Sequence, residues 1–145
     1  LCTSFKVELL EGDHDFNNGA DAFKVALFKA NASITGTYDA GTTNYSDVTG
    51  NSDELPNGSG YTTGGYALTN VNPTSGGTTA FTDFSANAQW TSATFTTRGC
   101  IIYNTSDGNS AVAVINFGAD YSVSGGTFEI QWPTADSSNA IIRIA

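Results

Sequence analysis

Positive charge is scarce in this 145-residue chain. Lys6, Lys24, Lys29, Arg98 and Arg143 are its only lysines and arginines, against fourteen Asp and Glu, for a net charge of −9. The five cations are scattered instead of gathered into a stripe, so the footprint needed to grip a phosphate backbone is missing and direct nucleic-acid binding is not expected. The acidic balance reads either as solubility through self-repulsion or as a docking surface for a basic partner. Methionine is absent and glutamate occurs only at Glu8, Glu11, Glu54 and Glu129, so no long stretch offers the background a stable helix prefers. No apolar run approaches ~18 residues and no signal-peptide pattern opens the sequence, so neither a membrane span nor Sec export is expected. Only Cys2 and Cys100 are available for a disulfide. Cys100 lies in the apolar run Gly99-Cys100-Ile101-Ile102-Tyr103, where a thiol behaves as a small hydrophobe, and both read as free. With no CxxC and no Cys/His cluster, neither zinc nor redox chemistry is suggested and no cofactor is expected.

What the chain has in quantity is Thr, Ser, Asn and aromatic residues, with sixteen Gly. Such a composition supplies β-formers for strands and turn residues to join them. Thr3–Leu10 alternates imperfectly but places Phe5 and Leu9 at helical spacing, and a short helix is the favoured reading. After a polar loop, Gly12–Asp21, the segment Phe23–Lys29 alternates as a strand. Residues 30–65 are punctuated by Gly and Pro and read as long surface loops with one or two short strands. Tyr66–Val71, Thr78–Phe84 and Ala93–Tyr103 read as strands. Cys100–Asn104 and Ala111–Phe117, joined by a turn containing Asp107-Gly108, form a hairpin whose nearly continuous apolar runs predict central strands covered on both faces. Tyr121–Ser124, Thr127–Trp132 and Ala140–Ile144 complete roughly eight strands. The expected fold is all-β: one antiparallel β-sandwich or jelly-roll-like barrel over residues 1–145, with long loops and an N-terminal arm over about 1–20.

Residues able to carry chemistry are few. Asp13-His14-Asp15-Phe16-Asn17-Asn18-Gly19-Ala20-Asp21 offers oxygens at alternate positions, as a calcium loop does. It has Asn18 where that loop needs Gly, and Lys24 where it needs a bidentate Glu, so a turn-rich loop is the better reading. His14 is the only histidine, and no nucleophile elbow or second histidine accompanies it. A structural His bonding the loop is expected there. Carboxylate pairs drawn from Asp53, Glu54, Asp83 and Glu129 carry no information in a chain this acidic. Tyr38, Tyr45, Tyr61, Tyr66, Trp90 and Trp132 could build a sugar-stacking row, but Trp90 and Trp132 fit core positions. The Asn-x-Ser/Thr sequons at Asn31, Asn44, Asn57 and Asn104 are expected by chance in such a composition.

Several segments together carry a family likeness. Phe5–Leu10, His14-Asp15-Phe16, Asp21–Leu27, Gly60–Gly65, Thr97–Asn104, Ala111–Val114, Phe117–Asp120 and Asn139–Ala145 resemble, in order and spacing, small virion structural proteins of tailed bacteriophages, of the capsid-decoration (cement) type. Cys100 departs from that family, where a small residue such as alanine is usual, and Asn51–Asn57 is peculiar to this chain. The resemblance implies an all-β protein without catalytic residues or cofactor, found in phage head or tail assemblies. The expected function is decoration of the outer head surface, with the major capsid protein and copies of itself, as a trimer or other homo-oligomer, as partners. Assembly would take place in the bacterial cytoplasm. A tail or fibre component and a carbohydrate-binding module are the alternatives. The residues expected at interfaces are Phe5, Leu9, His14, Asp15, Phe16, Tyr45, Leu55 and Tyr61, drawn from the N-terminal segment and the long loop because loops on a rigid sandwich commonly carry binding.

Overall fold

A computed structural model describes all 145 residues. Two short helices, α1 (Thr3–Glu11) and α2 (Ser46–Gly50), accompany seven strands: β1 (Phe23–Lys29), β2 (Tyr66–Ala67), β3 (Thr74–Gly76), β4 (Thr79–Thr82), β5 (Ala88–Asn104), β6 (Ser110–Ile130) and β7 (Ile142–Ile144). They form two antiparallel sheets, of order β2-β1-β5-β6 and β3-β4-β7. The all-β sandwich expectation is met. The helix favoured for Thr3–Leu10 also forms. It ends where Gly12 takes φ +88 and its N–H closes on the Glu8 carbonyl, a left-handed cap that favours glycine.

β1 sits between β5 and β2, and Phe23 to Phe28 pair in register with Asn104 to Gly99. Alternation puts Phe23, Val25 and Leu27 on one face, and Ala26 and Phe28 on the other. Both faces are buried. The apolar runs predict such cover for the hairpin, where it holds for Cys100–Asn104 and Ala111–Ala113 but not for residues 114–117, because β6 is the edge strand of its sheet. Phe16 stacks on Phe23 at 4.4 Å on the first face. On the second, Tyr38 packs on Phe28 at 5.2 Å and Tyr45 stacks on Tyr103 at 4.3 Å. One core cluster of 24 buried residues runs from Cys2 to Ile142. Both cysteines are free and buried.

Three expectations need correction. The strands placed separately at 111–117, 121–124 and 127–132 are largely one continuous strand, β6, paired along almost all of β5. What read as turns between them are bulges: residues 117–120 of β6 stand against Arg98 alone, three more than the pairing needs, with Gly118 at φ +80, and Gly125 sits at φ +64 where Thr94 pairs Ser124 and Ala93 pairs Gly126. Secondly, the N-terminal residues are no arm. Cys2 and Phe5 are fully buried, Cys2 N–H donates to Val112 O and Thr3 N–H to Ala40 O. Thirdly, of Tyr66–Val71 only Tyr66 and Ala67 join a sheet, while β3 arises in a stretch with no strand signal.

The long loop is ordered by the outer edge of β1. Leu27 N–H donates to the Tyr61 hydroxyl, Leu55 N–H to Leu27 O and Lys29 N–H to Asp53 O, so residues 53–55 lie along the edge much as a strand would, with Phe28 bridged to Glu54. Gly65 lets the chain approach this closely. At φ +77, a Cβ there would stand 2.0 Å from Val25 O. Gly65→Ala is expected to cost about 2–4 kcal/mol by urea denaturation, from positive-φ strain plus displacement of β1; a variant within experimental error of the parent would refute this account of the edge.

Candidate functional site

The residues expected at interfaces turn mostly inward. Phe5, Phe16, Leu55 and Tyr61 are core residues and His14 is buried with them. Leu9 and Tyr45 are half-buried, and only Asp15 is exposed. Phe5 and Leu9 lie on α1 and the others in irregular segments, and loop length carries no signal for which way a side chain points. Those side chains are inside because each fills space against a sheet face.

His14 organises the first of three polar clusters. Its Nε2 lies 3.0 Å from Glu8 Oε2, its Nδ1 3.0 Å from Asn104 Nδ2. Asn104, fully buried, has its amide oriented unambiguously: Oδ1 accepts from the N–H groups of Ser106 and Asp107, and Nδ2 also donates to Asp21 Oδ2. An N–H therefore faces Nδ1, so Nε2 carries the ring proton and donates to Glu8. Glu8, His14 and Asp107 are close enough to suggest a cation site. A metal-ligating Nε2, however, needs Nδ1–H facing an acceptor, and Asn104 presents a donor. The donor set does not fit a His-held metal. The neighbouring acidic loop is likewise self-satisfied: Asp15 Oδ1 accepts from the backbone and side chain of Asn17, and Asp21 Oδ2 from Asp15 N–H. The sequence suggested a histidine bonding the loop backbone; instead both ring nitrogens meet side chains, of Glu8 on α1 and Asn104 on β5.

Asp53 and Glu54 form the second cluster. Asp53 Oδ2 accepts from the Tyr38 hydroxyl at 2.5 Å and from the Thr35 and Gly36 N–H groups at 2.8 Å. Burial works against its ionisation, but these hydrogen bonds outweigh it and hold its pKa below the ordinary carboxylate value. Glu54 accepts from the hydroxyls of Tyr45 and Tyr61 and from Gly64 N–H. Burial, followed by the Asp53 or Glu54 carboxylate, raises the nearby phenols: Tyr38 and Tyr103 to about 12, Tyr45 and Tyr61 further. Elsewhere, Asp83 is buried and its pKa is raised by that burial, and its carboxylate caps the N–H groups of Phe84 and Ile141. Glu129 is held between Gln89 and Gln131 on the ribbon surface. Each of these carboxylates is committed to donors within the chain. The sugar-binding row does not form either: Tyr38, Tyr61 and Trp90 are core, Tyr45 is stacked on Tyr103, and Trp132 packs against Phe84 with its indole N–H on Ala86 O.

The third feature is apolar and exposed, and sequence reasoning missed it. The distal half of β5–β6 extends past the part of the sheet that β1 covers. The Gly125 bulge shifts the side-chain phase by one, so Tyr121, Val123, Phe128 and Ile130 share a face with Phe95 and Trp90. Phe117, on its own bulge, leans over Tyr121 at 6.0 Å and Phe128 at 6.2 Å. These rings enclose an open pocket of about 250 Å³. β6 is also the edge of its sheet: Thr43, Asn44 and Cys2 bond its proximal end at Ser110–Val112, and no backbone pairs the outer side of its distal part. The missed signal was the glycine pair 125–126: the apolar alternation changes phase across it. A second apolar surface lies at the other end. Val7 and Leu10 are exposed on α1, beside a groove between Leu9, Phe16, Phe81 and Ile144.

Two outcomes test the polar clusters. Asn104→Ala leaves several buried groups unpaired, and urea denaturation is expected to show a loss of about 2–4 kcal/mol. For Asp53 the depressed folded pKa means that its stabilisation is complete above the unfolded carboxylate value near ~3.9 and is lost as pH falls through the lower folded value. The stability gap between wild type and Asp53→Asn should therefore be full at pH 7 and shrink below about pH 4; a gap that stays constant would show that ionised Asp53 is not what holds the loop.

No helix is long and apolar enough to cross a membrane. Comparison with family models, curated proteins and solved structures gives no match.

Proposed function

We propose that this chain is a structural subunit of a phage virion, a decoration protein that attaches to major capsid subunits on the outside of the head. One observation carries the reading beside the sequence resemblance: the polar clusters are spent inwardly, whereas two separate apolar surfaces, on α1 and on β6, are left uncovered. A chain with net charge −9 has no need of exposed Leu10 and Tyr121 for its own folding. Exposed apolar groups gathered on a rigid scaffold favour burial against another protein. Decoration asks no more of a subunit than this, since a specific contact buries on the order of 1,200 Å² and many symmetry copies multiply modest affinities.

Co-sedimentation with heads that lack the protein tests the reading. Saturable binding is expected, together with greater resistance of decorated heads to heat. Leu10, at 89% exposure, contributes almost nothing to the fold, so Leu10→Glu is expected to weaken head binding by about tenfold or more while leaving the melting temperature unchanged. Wild-type protein that never pellets with heads would exclude the decoration role.

A further inference from the structure

We infer that the outer edge of β6 is the self-association surface of this protein, pairing antiparallel with the same strand of a second copy across a twofold axis near Ser124 and Gly125. The inference rests on the proposed function for its setting and deepens it by naming the partner of one surface.

An unpaired edge strand is a template for another strand, and proteins that stay monomeric blunt such edges with charge, proline or a covering segment. Tyr121–Phe128 has no charge, proline or covering segment, and the one such device it carries is the bulge at Gly125. It reads Tyr-Ser-Val-Ser-Gly-Gly-Thr-Phe, without a charged residue or proline, in a chain of net charge −9. The two carboxylates that flank it are each engaged within the chain, Asp120 with Asn31 N–H and Arg98, and Glu129 with Gln89 and Gln131. Charge complementarity selects the occupant. A basic partner would find nothing to recognise along this strip and much to attract it elsewhere. Two copies of an acidic chain repel over most of their surfaces, and here they meet without that penalty.

The register agrees. Pairing about an axis between residues 124 and 125 sets Tyr121 opposite Phe128 of the second copy, and Val123 opposite its Gly126. Opposed residues must share a face, and the Gly125 bulge is what places all of these on the apolar face. Tyr121, 52% exposed in the single chain, would then be covered beside the pocket formed by Phe117, Phe128 and Ile130. The result is one continuous sheet across two subunits, closed by an isologous contact.

Sedimentation equilibrium between about 1 and 100 μM is expected to show wild-type protein reaching twice the chain mass. Ser124→Lys, which sets two cations together at the axis, is expected to remain at the mass of one chain with an unchanged circular dichroism spectrum. A wild-type protein of single-chain mass throughout overturns the inference, and so does a Ser124→Lys variant that associates as the wild type does. Should that variant fail to fold, hydrogen exchange of the wild type decides: the amides of 121–128 must exchange more slowly at the higher concentration, and unchanged rates overturn the pairing. Head binding is scored apart. A dimer that ignores heads overturns the virion reading and leaves the pairing standing; a monomer that binds heads does the reverse.

Discussion

Strand β1 has no free edge, and most of the molecule follows from how its second edge is satisfied. One side pairs with β5 over the whole strand. The other lies against the long loop, where buried backbone groups left without partners would each cost about 1–3 kcal/mol. Tyr61, Leu55 and Asp53 supply those partners. Once residues 53–55 are laid along β1, Asp53 and Glu54 must enter the interior. Tyr38, Tyr45 and Tyr61 are needed to receive them, and the loop becomes as well defined as the sheet it covers. A segment rich in glycine and polar residues thus acquires a core of its own, built from phenol–carboxylate hydrogen bonds.

The two edges of the four-stranded sheet are treated differently. At the β1 side, β2 and the loop close the sheet and the aromatic rings are buried. At the β6 side, Thr43, Asn44 and Cys2 bond only the first residues of a 21-residue strand, and its distal part ends the sheet uncovered. The bulges at 117–120 and at Gly125 bend and re-aim this strand without covering it. That asymmetry separates the part of the fold that stabilises the chain from the part available to other chains. It also explains why clusters that suggest chemistry by composition, such as His14 with its acidic neighbours, do structural work: they lie on the closed side, where His14, Asn104, Asp53 and Glu54 are each already hydrogen-bonded within the chain.

Period-two alternation and apolar runs made β1, the proximal halves of β5 and β6, and the burial of Trp90 legible in the sequence, because those signals depend only on local geometry and on which faces need covering. The helical spacing of Phe5 and Leu9 was readable for the same reason. Strand continuity was less so: glycine marks both turns and bulges, and only pairing across the sheet distinguishes Gly118 and Gly125 from chain reversals. The expected contact residues illustrate the same limit. Phe16, Leu55 and Tyr61 sit in segments that look like loops and Phe5 on a short terminal helix, yet each is buried by residues distant in the chain.

The sequence by itself determined an all-β, acidic chain with free cysteines and a hairpin turning at Asp107-Gly108, since composition, charge and periodicity act locally and add up along the chain. Tertiary structure alone decided that the 30–65 loop closes an edge, that Asn104 sets the tautomer of His14 from ninety positions away, and that the apolar face of β6 stays open. The physical reason is the same in each case. Satisfying a buried polar group or covering an apolar face requires a partner, and which residue supplies it, or that none does, is settled only when the chain is packed.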